Sequence, residues 1–432
     1  MSSIAKKSLE TFAVRVSMQL FAAAGGIVIA RTLLLSAKGE YTYAGTILTF
    51  AVMAAVGHTR AILWQSGRRG LPAYSIIRVM VCIVMLIGTP LVLAMILAGS
   101  LLPSQRSLLF VALALPFAIF SQSAGGIFLA DGDVRTINIT AMFPTVGATL
   151  VYVPLILFFH RTLGVVLAVW AASYVLGGVY MLLALKRYYQ RATDRVSFKE
   201  LAKEQMTFGS QASLSSLVQY LDFRVGVFIV MFMAGSAALG LYSVGIAIGE
   251  FLWQLSSAMI NPALKDIGGK DFTRAAAVTA KCMRHSFVLV FAAAVCVALL
   301  AHQVVPLIYG PAFSYGAVVA IALLPGIVAY SMMPALSAFF SQQLGQPRVP
   351  FYFSAFSTLV CATVTALALP HFGIIAAAVA TSISYTAAFI AAAAYFTRAT
   401  GWSAGRIFAY SVDDLRPYHS LLTGAAAVIR GR

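Results

Sequence analysis

Six arginine, aspartate and glutamate side chains lie inside long apolar runs: Arg15, Arg31, Arg60, Asp222, Arg224 and Glu250. A charge at the centre of a membrane-spanning helix costs about 2.5–3.5 kcal/mol to insert, which makes each of them a functional candidate. Four of the six are arginines. A guanidinium offers paired N–H donors that match a phosphate group, so the set suits an anionic headgroup and suits an organic cation poorly.

Arg224 lies deepest in its run, and helical spacing puts Ser213, Ser216 or Leu217, Tyr220 and Arg224 near one face. The competing role for Arg224 is an ion pair with Glu250. Arg15 has Gln19 one turn further along the same face, as a polar cavity wall would; its alternative is to snorkel to the membrane interface. Arg60 is close to a helix end, where snorkelling competes with a cavity role. Arg31 points away from Arg15 on a straight helix, although Gly25-Gly26 permits a bend; otherwise it anchors the interface.

Asp222 shares a second polar face with Gln211, Ser215 and Gln219, and its two-residue spacing turns it away from Arg224. Asp222 and Glu250 are the acids well inside the apolar runs. Each is a site for a coupling proton or sodium ion, or a buried partner for an arginine. No resident cofactor or metal is expected. The six histidines show no ligand spacing, and no GxxxxGK[ST] phosphate loop is present.

The elements that position these residues follow from composition. The chain has 432 residues, 61% hydrophobic and 10% charged, with a mean hydropathy of +0.90. That balance, spread along the whole chain, belongs to a polytopic membrane protein. The net charge of +17 would suggest nucleic acid in a soluble protein. Here the basic residues sit between apolar runs, and no nucleic-acid partner is expected. Cys82, Cys282, Cys296 and Cys361 form no CxxC and read as buried small apolar residues.

Windows of about 20 apolar residues predict twelve spanning helices. They cover 11–34, 41–64, 74–99, 107–130, 138–159, 162–185, 206–233, 236–262, 285–308, 314–340, 349–370 and 374–397. The apolar piece Leu421–Ile429 is too short to span and is expected on the membrane surface. With a cytoplasmic N-terminus, 23 of the 30 Lys+Arg fall on the cytoplasmic side. Only Lys38, Arg106 and Arg161 fall opposite. This bias predicts N-in, C-in topology and an even helix count.

The polar stretch 187–205 divides residues 1–186 from 206–397, six helices from six, with 398–432 as a cytoplasmic tail. The halves share short motifs in one order. Gly39-Glu40-Tyr41 pairs with Gly240-Leu241-Tyr242, and Gly132-Asp133-Val134-Arg135 with Gly345-Gln346-Pro347-Arg348. His160-Arg161-Thr162-Leu163-Gly164 pairs with His371-Phe372-Gly373. Six is even, so the repeats are parallel, related by a pseudo-two-fold axis along the membrane normal.

Three stretches carry a family resemblance: Arg31-Thr32-Leu33 with Lys38-Gly39-Glu40-Tyr41; Ile127 to Gly132 followed by Arg135 and Asn138; and Leu239 to Ser243, running through Glu250 to Pro262. They resemble the Wzx-like oligosaccharide flippases, or polysaccharide biosynthesis membrane proteins, of the multidrug/oligosaccharidyl-lipid/polysaccharide exporter superfamily. Gly57-His58-Thr59-Arg60 departs from the acidic-glycine pair expected at the end of helix 2.

The resemblance implies an all-α fold of two six-helix bundles around an alternately opening cavity, in a bacterial inner membrane. It implies a polyprenyl-pyrophosphate-linked oligosaccharide as substrate, for surface polysaccharide such as O-antigen or exopolysaccharide. It also implies a polysaccharide polymerase and chain-length proteins as partners. The arginines then become pyrophosphate ligands.

A cation-coupled multidrug exporter of the same superfamily would need acids on helix 1, which has none between Glu10 and Glu40. A lipid II flippase typically has fourteen helices against twelve here. Ser66-Gly67-Arg68-Arg69-Gly70 is similar to part of the major-facilitator loop motif but lacks its acid. A membrane glycosyltransferase or ligase needs a large carboxylate-bearing periplasmic loop, and none is predicted, so no enzyme activity is expected. Trp64, Trp170 and Trp253 read as interface or packing residues.

Overall fold

The computed structural model describes residues 3–188 and 197–410. No strand occurs among them. Among the described residues, ten helical stretches are long and apolar enough to cross a membrane. Two of these, Ala13–Arg68 and Phe198–Ile267, have 56 and 70 residues, more than twice the length of one crossing. Each is broken by a single residue: Leu34 (φ 68°, ψ −166°) in the first and Gly235 (φ 84°, ψ 179°) in the second. The ten stretches therefore supply twelve segments, the number the apolar windows predict.

We label them α1 (3–33), α2 (35–63), α3 (Ala73–Leu101), α4 (Ser107–Ala130), α5 (Val134–Phe158) and α6 (Leu163–Leu185). The second set is α7 (198–234), α8 (236–260), α9 (Phe272–Tyr309), α10 (315–343), α11 (Arg348–Phe372) and α12 (Ile374–Thr400).

The repeats are visible in backbone geometry. Leu34 and Gly235 each lie five residues before the matched glycines Gly39 and Gly240. Gly132 and Gly345 both take positive φ (72° and 65°) just beyond α4 and α10. The third-to-fourth helix connections are both 3-10 turns opening on proline, Pro103–Gln105 and Pro311–Phe313. The third motif pairs differently from the sequence. Gly373 precedes α12 with positive φ, whereas Gly164 lies inside α6 and Thr162 takes the preceding position.

Two expected boundaries move. The first corner is at Leu34, so Lys38-Gly39-Glu40 lies within α2 instead of in a turn. α7 begins at Phe198, eight residues before its apolar window, because the polar residues from Lys199 onward extend the helix. Residues 189–196 of the polar linker, residues 411–432 of the tail and the apolar piece Leu421–Ile429 lie outside the described residues. The cysteines also divide. Cys282 and Cys361 are buried, whereas Cys82 and Cys296 are exposed, and none of the four is in a disulfide. A lipid-facing helix surface has no need to bury a small apolar group, so composition alone misplaces these two.

By packing, the described chain forms two compact units. The first runs to Ser243 and includes Pro306–Phe313; the second holds Val244–Val305 and continues from Ser314. Small residues bring helices together in both. In the first unit, Gly126 of α4 fits against the Thr59 carbonyl and Ile62 of α2, and Gly178 of α6 against Phe117 of α4. In the second, Gly326 of α10 meets Ser382 of α12, whose Oγ accepts from the Gly326 N–H (3.2 Å) and donates to the Ala322 carbonyl (2.6 Å). Close backbone approach through glycine and serine is how helices associate where no water drives them together.

A capped connection ties α5 to α6. Asp133 accepts from the backbone N–H (3.1 Å) and hydroxyl (2.7 Å) of Thr136, and from Arg187 Nη2 (3.1 Å). Tyr188 donates to Asp131 (2.6 Å). Burial acts to raise the Asp133 pKa, but the Thr136 hydrogen bonds and the Arg187 guanidinium outweigh it and hold the carboxyl below its ordinary value.

Candidate functional site: the α2–α7 seam and the intramembrane arginines

Within the first unit, α2 and α7 touch along most of their length. Where α7 passes into α8, the hydroxyls of Ser36 on α2 and Ser236 on α8 are 2.6 Å apart, and Gly39 of α2 and Gly240 of α8 each abut the opposite backbone. Further along, Tyr220 donates to the Thr46 carbonyl (3.1 Å). Tyr43, Phe50, Tyr220 and Phe228 interleave with ring centroids 5.8–6.5 Å apart. Next, the Gly57 N–H donates to Ser213 Oγ (3.0 Å), and His58 lies against Gly209. The far end is polar: Glu204 accepts from Arg69 (2.8 Å) and Gln65 (3.0 Å), and Gln205 donates to Gln65 (2.8 Å). The seam is therefore closed by hydroxyls and glycines at one end and by a charged network at the other.

The sequence-selected residues fall on three helices of the first unit, α1, α2 and α7, and on α8 in the second. Arg224 is half-buried in the second half of α7. The residues selected for its face, Ser213 and Tyr220, are engaged by α2 through the hydrogen bonds above. Asp222 is 1% exposed, while Gln211 and Gln219, placed on the same polar face by spacing, are exposed. Arg15 and Gln19 are both exposed on α1, one turn apart, and Arg60 is exposed on α2. Glu250 belongs to the second unit and is half-buried; Asp222 and Arg224 belong to the first.

Arg31 has a defined structural contact. Its guanidinium donates to the Ile308 carbonyl (2.7 Å) and the Leu307 carbonyl, closing the C-terminal end of α9. Unpaired carbonyls at a helix C-terminus favour a cation. With Leu34, Tyr309, Pro311 and Phe313 it lines a cleft of about 240 Å³.

Two features escaped sequence reasoning. Lys38 folds back from α2, and its ammonium approaches Gly26 of α1 at the place a Cβ would need. The signal was the Lys38-Gly39-Glu40-Tyr41 motif, which spacing assigned to a loop. The second is a hydroxyl-bearing aromatic cluster across α2, α5 and α6. Tyr41 meets Tyr152 (6.5 Å between centroids) and Trp170 (6.4 Å), and Trp170 meets Tyr174 (5.2 Å). Trp170 is thus packed, as is Trp253 against Tyr330 and Tyr385 (5.8 and 5.7 Å). Trp64 is 41% exposed with Arg69 over its ring (5.6 Å), the arrangement of an interface tryptophan.

Solved structures share this fold. An inward-facing multidrug resistance MATE family transporter of the MOP superfamily superposes with a TM-score of 0.69 at 17% identity, covering 89% of this chain and 94% of that one. The lipid II flippase MurJ in an inward closed conformation gives 0.73 at 10% identity, covering 93% and 89%. A MOP superfamily transporter from Pyrococcus furiosus Vc1, described as having a binding pocket of reversed polarity, gives 0.55 at 16% identity, covering 90% and 93%. None of the curated proteins matches the sequence. The profile of the polysaccharide biosynthesis protein family matches residues 28–318, from the end of α1 into α10. On that match, over more than half its length, the chain belongs to the polysaccharide biosynthesis protein family.

Proposed function

We propose that the protein is a flippase for a polyprenyl-pyrophosphate-linked oligosaccharide, moving it from the cytoplasmic to the periplasmic leaflet by alternating access. The observation that carries this reading is the family match over residues 28–318. Arginines outnumber acids among the ionisable residues of the spans, which supports an anionic headgroup. In this reading Arg224, Arg15 and Arg60 contact the pyrophosphate, with Gln19 and Gln219 as neutral polar neighbours. Arg31 joins them only by releasing the end of α9. Asp222 or Glu250 takes a coupling proton or sodium ion. The site is on the bacterial inner membrane, with both termini cytoplasmic, and a polymerase and chain-length proteins act downstream.

Deleting the protein is expected to abolish a surface glycan and to leave lipid-linked repeat units on the cytoplasmic leaflet. Unchanged surface glycan in a strain with no second flippase contradicts the proposal. The likeness to MurJ favours a lipid II flippase as the second reading. That reading predicts arrested cell-wall synthesis on depletion, with surface glycan lost only secondarily.

A further inference from the structure

The α2–α7 seam encloses a titratable side chain that the transport reading leaves unused. His58 is 2% exposed. Its Nδ1 has no hydrogen-bond partner among the described residues. That atom occupies the space a Cβ on Gly209 would need, so the imidazole lies directly against the α7 backbone. Gly57, beside it, abuts the Gly209 carbonyl just as closely. A neutral imidazole has one N–H and one bare acceptor nitrogen, and Nδ1, buried without a partner, sits where the bare nitrogen belongs.

Protonation would change both features at once. Taking a proton from water onto Nδ1 adds an N–H facing no acceptor and a full charge inside a helix–helix contact. Among the described residues, no neighbour offsets that charge. On α7, Gln205, Gly209 and Ser213 are uncharged, and the nearby acid Glu204 already accepts from Arg69 and Gln65. α4 packs on α2 at Thr59 and Ile62, and it has no charged residue from Ser107 to Ala130. On α2 itself, Arg60 is exposed and of the same sign. The closed seam therefore excludes the proton, and by linkage proton uptake favours the open seam.

We propose that His58 is a proton-binding site whose occupancy separates α2 from α7 at the Arg69–Glu204 end. The role rests on the alternating-access reading but not on the identity of the substrate. The opposite end, closed by the Ser36–Ser236 hydroxyl pair, has no imidazole at its glycine contacts, so the response is one-ended.

The test uses full-length protein in lipid nanodiscs, with Cys82, Cys282, Cys296 and Cys361 changed to alanine. Spin labels go on Leu63→Cys and Phe208→Cys, exposed positions on α2 and α7, and pulsed EPR measures their distance. Between about pH 8 and about pH 5, where imidazole changes charge, the long-distance population is expected to grow about threefold or more. His58→Gln should hold the short distance at both pH values, and His58→Lys the long one. His58→Asn serves as the second neutral variant if His58→Gln does not accumulate. A distance that ignores pH in the parent, or the same shift in a neutral variant, overturns the proposal. No substrate is needed for this readout. A null result here leaves the flippase reading standing, and a failed glycan assay leaves the proton site standing.

Discussion

Gly39 and Gly240 meet each other's helices in a reciprocal contact. A side chain on Gly39 would overlap the Ser236 carbonyl, and one on Gly240 would overlap the Leu35 carbonyl. Positions 39 and 240, like 35 and 236, are separated by the same interval in sequence. The start of α2 thus packs on the start of α8 about a local two-fold, and each glycine does for its partner what the partner does for it.

The two glycines should accordingly respond alike. Gly39→Ala and Gly240→Ala are each expected to destabilise the purified protein by about 1–3 kcal/mol through overpacking. Gly45, also in α2, has open space around it. Gly45→Ala should stabilise by about 0.5–1 kcal/mol, because a helix-interior glycine is entropically costly. Thermal unfolding in detergent distinguishes them, and a lowered midpoint for Gly45→Ala would contradict the packing argument.

The corner residues Leu34 and Gly235 should diverge. Both adopt a backbone region that suits glycine, but only one is a glycine. Leu34→Gly should relieve strain on the order of 1–3 kcal/mol and raise the unfolding midpoint. Gly235→Leu should lower it by a similar amount. If both substitutions lower the midpoint, the Leu34 side chain contributes packing that exceeds its strain.

Arg224 is the sharpest test of the pyrophosphate proposal. Arg224→Ala should abolish glycan export at normal membrane abundance, and Arg224→Lys should rescue only in part, since lysine lacks the planar fork of donors. An ion-pair role predicts reduced abundance instead, from an uncompensated charge worth about 3–5 kcal/mol. In that case adding Glu250→Gln should restore both abundance and export.

Asp133 makes stability depend on pH with a definite sign. Its folded pKa is held below the ordinary value of 3.8, so its contribution is present above 3.8 and is lost as pH falls through the folded value. Asn can still cap the Thr136 N–H through its one oxygen, so Asp133→Asn removes the charge together with the acceptor that serves the Thr136 hydroxyl and Arg187. The variant should be less stable than the parent near neutrality, and the gap should close below about pH 3.8. A gap that persists in acid would mean that shape, not charge, sets the contribution of Asp133.

The basic bias makes a topological prediction. Reporter fusions after Lys203 and at the C-terminus should both report cytoplasm, because a cytoplasmic N-terminus assigns 23 Lys+Arg to that side and three to the other. A periplasmic signal at either place would invert or shift the arrangement.

The sequence by itself determined the helical class and the twelve segments. Inside a bilayer every backbone group must be satisfied within its own segment, so the length of each apolar run dictates a helix whatever its neighbours are. The repeated glycine motifs were legible for the same local reason: Gly132 and Gly345 each end a helix with a backbone that other residues rarely adopt. The ionisable residues could be named from type and position alone, but their partners could not. Arg31 closes α9 through carbonyls some 277 residues away. The first corner falls at Leu34 instead of at the polar Lys38-Gly39-Glu40, because charged residues near an interface fit a loop or a helix equally well. Likewise, nothing local in Gly57-His58-Thr59-Arg60 says that the imidazole is buried; Gly209, on another helix, decides it by lacking a side chain. Local chemistry set which segments form, and the long-range approach of one backbone to another set which of their polar groups are exposed, paired or enclosed.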